Sequence, residues 1–81
     1  MEPDWNDIKR RMTALTLKEL RPVKEWFSGC LGGASGKAEI IAAMVSQMQH
    51  WWRNCEDFGG RERVKNVLKE LETVELAKEG A

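Results

Sequence analysis

The chain's 81 residues make one domain at most, spanning residues 1–81, and a domain this small buries only about 60% of the surface of its unfolded chain. An apolar fraction of 42% with four tryptophans suffices for one core, while the absence of tyrosine and of alternating β-branched residues argues against a sheet. Thirteen basic and thirteen acidic side chains cancel, which excludes a bulk pull on nucleic acid; residues 1–54 carry a net +2 and residues 55–81 a net −2, so an anion-binding face belongs in the first two thirds.

The first helix is expected from Asp4, a suitable N-cap, with Trp5, Ile8, Met12 and Leu15 on one face and the basic cluster Lys9, Arg10 and Arg11 around the others. The second starts at Thr16, where Thr16-Leu17-Lys18-Glu19 reads as a capping box. Its apolar stripe is Leu17, Leu20, Val23, Trp26 and Phe27, and it ends at Ser28-Gly29. Pro22 removes a hydrogen bond one turn in, so a kink or a late helix start is expected. Residues 29–36 (GCLGGASG) form a loop, with Leu31 plugged back onto the core.

Ser35 is expected to cap a third, longer helix running to about Asn54, with Ile40, Ile41, Met44, Val45, Met48, Trp51 and Trp52 recurring every three or four residues. Residues 57–60 break the chain again. A fourth amphipathic helix, residues 61–79, carries Val64, Val67, Leu68, Leu71 and Val74 against mixed charge that includes Lys69 and Glu72. The fold class is therefore all-α, a small four-helix domain with a helix-loop-helix centre.

Little in the sequence suggests catalysis. His50 is the one histidine, and no spacing sets it against Cys30, Cys55 or a serine as a nucleophile–base pair, so no catalytic residue is assigned and the chain reads as a non-enzyme. No second histidine or clustered carboxylates accompany it, so neither a metal nor another cofactor is expected. Cys30 and Cys55 fit no disulfide framework and read as buried, reduced thiols. No apolar run approaches the ~20 residues a membrane span needs, and the start Met1-Glu2-Pro3-Asp4 is not signal-like, so the expected location is cytoplasmic or nuclear rather than secreted or in a membrane.

The Gly-rich loop fails as a phosphate-binding P-loop. Gly32 lies one residue too close to Gly36-Lys37, Ala38 replaces the magnesium-binding hydroxyl, and a helix rather than a strand comes first. The fragment Gly33-Ala34-Ser35-Gly36 fits a KH-type clamp only in a fold with a sheet, which is missing here. More general physics remains. Ser35, Gly36 and Lys37 open a helix whose unpaired amides attract an anion, and Lys18, Arg21 and Lys24 recur every third residue on the helix before.

These residues carry a resemblance. Residues 15–22 (LTLKELRP), then Leu31, then residues 35–41 (SGKAEII) resemble the SAP motif, a short capped helix, a glycine-containing turn, and G-x-K opening an apolar second helix. The likeness spans residues 15–45 and departs from the basic pattern at Ala38 and at Ala43 before Met44. It implies binding of double-stranded DNA through phosphates, by Ser35, Gly36 and Lys37 with Lys18 and Arg21 in support, and Lys24 continues the same ribbon by its spacing. The alternative is a protein-interaction domain, or a small inhibitor or accessory factor docking on a larger nucleic-acid machine, with a protein partner on the helix face of Met44, Met48, His50, Trp51, Trp52 and Arg53. Neighbouring tryptophans diverge by about 100°, and an exposed one would serve as an anchor; the competing reading packs both inside.

Overall fold

Residues 2–80 are described by the computed structural model, and their elements follow the local signals closely. Asp4 accepts from the Asp7 amide and starts helix α1 (Trp5–Thr13). Thr16 starts α2 (Leu17–Glu25) with both halves of the capping box formed: Glu19 N–H donates to Thr16 Oγ1 at 3.1 Å, and Thr16 N–H donates to Glu19 Oε1 at 2.8 Å. That second bond is the first cause holding the Glu19 carboxyl below the usual carboxylate range. Helix α3 (Lys37–Asn54) follows, then a 3-10 turn (Glu56–Phe58), then α4 (Gly60–Glu79). No strand occurs among the described residues, so the protein is all-α.

Pro22 does not delay α2. It lies inside the helix, which closes as an α-helix at Glu25 rather than at Ser28. Beyond that point the chain tightens into i→i+3 bonds, with the amides of Phe27 and Ser28 donating to Lys24 and Glu25, until Gly29 turns it at φ 80°.

The second correction concerns the start of α3. Its N-cap is Gly36, not Ser35, and no side chain caps it. Gly36 adopts φ 83° and ψ 149°, a region essentially closed to residues with a Cβ, so the glycine rather than the serine takes the turning position.

Helices α1 and α4 pack along α3, and α2 packs on α4. The C-terminal helix therefore braces the helix-loop-helix centre. Met12, Leu20, Val23, Phe27, Met44, Met48, Val64, Val67 and Leu71 are fully buried at the junction of all four helices. Leu31 packs against this core as expected, which turns Cys30 outward; Cys30 is exposed and Cys55 half-buried, so neither is the buried thiol that the sequence suggested. At the α3–α4 corner Gly60 is required by close approach, since a Cβ there would lie 2.2 Å from Trp51 O and 2.8 Å from Cys55.

Polar ties link the two ends of the chain across the α1–α4 seam. Arg11 donates to Glu75 through Nε (3.0 Å) and Nη2 (2.5 Å), and that partner raises the arginine's pKa. Lys78 Nζ donates to Ala14 O at 3.0 Å and lies 3.5 Å from Glu19 Oε1. Among the described residues no helix is long and apolar enough to cross a membrane.

Candidate nucleic-acid interface

The exposed corner where the loop enters α3 holds the first group of candidate residues. The amides of Gly36, Lys37, Ala38 and Glu39 have no hydrogen-bonding partner among the described residues, the first bond of α3 being Ile40 N–H to Gly36 O. Ser35, Gly36 and Ala38 are exposed. Such a helix start carries a partial positive charge from aligned peptide dipoles.

Two side chains modify that charge. The Ser35 amide is already engaged, donating to Glu39 Oε2 at 3.2 Å. Lys37 is half-buried and its Nζ donates to Thr13 O at 2.7 Å, so it caps the C-terminal end of α1. The lysine of the G-K pair thus serves the packing of α1 before it serves any ligand.

The α2 cations form the second group. Lys18, Arg21 and Lys24 are exposed and make no ion pair among the described residues. At three-residue spacing they span an arc of about 120° beside the buried face of Leu20 and Val23. Arg21 and Lys24, with Glu25 and Ser28, rim an open depression of about 620 Å³ that runs over Phe27 and Leu31 to Gly32. Arg21 and Lys24 therefore share one surface with Gly29, Leu31 and Gly32 of the Gly-rich loop.

Compared with known proteins, the chain matches no family model, no curated protein and no solved structure.

The alternative interface does not survive folding as drawn from the sequence. Met44 and Met48 are fully buried, and Trp51 and Trp52 retain only 6% and 7% exposure. They diverge around α3 as helical geometry requires, but each meets a packed neighbour. Trp51 stacks on Phe27 with centroids 5.2 Å apart, and Trp52 meets Trp5 edge-on at 6.4 Å. Arg63 and Arg61 close over the Trp51 and Trp52 rings, each guanidinium carbon 5.0 Å from the ring centroid. His50 is exposed with Nδ1 near the Asn54 amide, and Arg53 is exposed but bound to Glu2.

The exposed tryptophan is instead Trp26, at 41%, beside Asn66, Lys69, Glu70 and Thr73 of α4. Its three-residue spacing from Val23 placed it in the apolar stripe of α2, but it stands at the C-cap of that helix and remains half exposed. Phe58, 89% exposed in the 3-10 turn, was also missed, because a lone aromatic among Glu56, Asp57 and glycines offers no periodicity to read.

Proposed function

We propose that the protein is a SAP-like module that binds double-stranded DNA by its phosphates, through Lys18, Arg21 and Lys24 on α2 and the open amides at the start of α3. The observation that carries this reading is that Lys18, Arg21 and Lys24 lie together on α2 with no ion pair among the described residues, and that Arg21 and Lys24 share a surface with Gly29 and Gly32 of the Gly-rich loop, in a chain whose net charge is zero. Phosphates gain most from cations that have no carboxylate to give up and from amides that have no carbonyl to leave. Gly36, Lys37 and Ala38 contribute main-chain N–H groups. The Ser35 amide and the Lys37 ammonium contribute only by leaving Glu39 and Thr13.

Few side chains on this surface suit base edges, so the module would bind the backbone with little sequence preference and a strong salt dependence. Fluorescence anisotropy with a labelled duplex at 50 and 200 mM salt tests it. The expected result is binding at the lower salt that weakens steeply at the higher and is lost in Lys18→Glu with Lys24→Glu. Absence of binding at 50 mM salt overturns the proposal. Trp26 favours a second reading, a protein-docking surface over the α2–α4 groove, because a half-exposed tryptophan beside mixed charge is a common interface anchor. Under that reading DNA is ignored at both salts.

A further inference from the structure

A second arrangement of donors lies at the other end of α3, apart from the α2 ribbon. Glu2, on the segment leading into α1, accepts from Arg53 Nε at 2.5 Å and from Arg53 Nη2 at 3.4 Å. Arg53 is the first cause holding the Glu2 carboxyl below the usual range; the indole N–H of Trp5 and the charge of Arg61 add smaller pulls the same way. The Trp5 Nε1 atom is buried and has no formed hydrogen bond, so this donor is withdrawn from water without an acceptor at bonding distance. Three helices contribute: Trp5 from α1, Arg53 from α3 and Arg61 from the first turn of α4.

The framework beneath these donors is rigid. Trp5 and Trp52 meet edge to face, Arg61 lies over the Trp52 ring, and Arg61 Nε donates to Trp52 O at 3.5 Å. The plug is not. Glu2 belongs to no helix, and the side chains of both partners in its ion pair are more than a third exposed, at 39% and 55%. An exposed pair of this kind is weak, so an anion with more charge and more acceptor oxygens competes with it.

We propose that Arg53, Arg61 and the Trp5 indole N–H form a phosphate-receiving socket that the chain's own Glu2 plugs, so that the N-terminal segment is a displaceable cap. A phosphate group offers three oxygens and up to two charges where the glutamate offers two oxygens and one charge, and guanidinium forks match it well. Removing the Glu2 charge leaves Arg53 without its ion-pair partner, while Arg61 keeps Glu56, which lies 3.4 Å from its Nη2. The socket does not depend on Lys18, Arg21 or Lys24, so it stands or falls apart from the DNA reading.

The test uses the full chain, with inorganic phosphate as probe and the Trp5 indole 15N–1H resonance as readout, against chloride at matched ionic strength. In Glu2→Gln, phosphate shifts that resonance saturably, with an affinity at least roughly threefold above that of the unsubstituted chain, the scale set by a weak surface ion pair. Arg53→Gln in the same background removes the response, while circular dichroism reports an unchanged helix content. A 5′-phosphorylated dinucleotide distinguishes a phosphate carried on nucleic acid from a free one: the same shift shows that the socket accepts a phosphomonoester with a bulky substituent. Equal responses to phosphate and chloride, or equal phosphate affinity with and without Glu2, overturn the proposal.

Discussion

Two regions of this protein use their cations differently, a contrast that the neutral total charge conceals. Along the α1–α4 seam and the far end of α3, Arg10, Arg11, Arg53, Arg61 and Lys78 each face a carboxylate: Asp7, Glu75, Glu2, Glu56 and Glu19 respectively. On α2, Lys18, Arg21 and Lys24 face none among the described residues; Lys9, Lys37, Arg63, Lys65 and Lys69 are also without an ion pair but are spread over α1, α3 and α4. The first region spends its charge inside the molecule and leaves a nearly neutral surface. The second projects charge outward, and this is the property an anionic ligand senses. A count of residues cannot separate the two, because the same side chain belongs to either class according to what the fold sets opposite it.

The largest expected effect tests that division directly. Reversing the ribbon, as Lys18→Glu, Arg21→Glu and Lys24→Glu together, should weaken duplex DNA binding by about 100-fold or more at 50 mM salt, by anisotropy titration. The same triple variant should unfold within about 0.5 kcal/mol of the unsubstituted chain, because these side chains contact solvent. A large loss of stability would show that α2 charge is structural and erase the contrast.

Gly36→Ala comes next, with an expected cost of about 1–3 kcal/mol in urea unfolding. Nothing lies within 4 Å of the position where its Cβ would stand, so the whole cost comes from φ 83° rather than from crowding. A neutral result would show that the α3 start relaxes and that the glycine is kept for ligand approach instead.

Arg11→Met probes the seam. Loss of the pair to Glu75, whose side chains are only 32% and 28% exposed, should cost about 1 kcal/mol while DNA affinity stays within a factor of about two. Thr16→Ala should cost a similar or smaller amount, about 0.5–1 kcal/mol, by removing one half of the capping box.

The smallest effect concerns pH. The folded-state pKa values of Glu2 and Glu19 are depressed below their usual value, so their stabilisation is present above about pH 4.5 and is lost as pH falls through the lower folded values. The melting temperature should therefore hold level from pH 7 to about pH 5.5 and decline below about pH 4.5, with Glu19→Gln flattening part of the decline. A decline beginning near neutrality would point to another group.

Much of the scaffold was legible because its causes are local. The Asp4 cap, the Thr16–Glu19 box and the apolar stripes of α3 and α4 involve residues within a turn or two of one another, and short-range chemistry leaves a pattern in the chain. The candidate site was legible only as a set of residue types. The spacing of Lys18, Arg21 and Lys24 fixed a shared face of one helix, and that face did emerge exposed. The role of Lys37 was not legible, since its partner Thr13 lies 24 residues away. Nor was the fate of Trp51 and Trp52, because a helix sets the angle between neighbours but not what stands opposite each.

By itself, then, the sequence determined that the chain is helical, where α1 and α2 begin, and which faces seek the interior, because capping and periodicity act over a few residues. Only the tertiary structure decided which cations are neutralised, which tryptophan is left in water, and that a carboxylate at residue 2 closes on an arginine at residue 53. Those outcomes depend on separations through space between residues far apart in the chain, set when α1 and α4 close over α3 and α2 docks on α4.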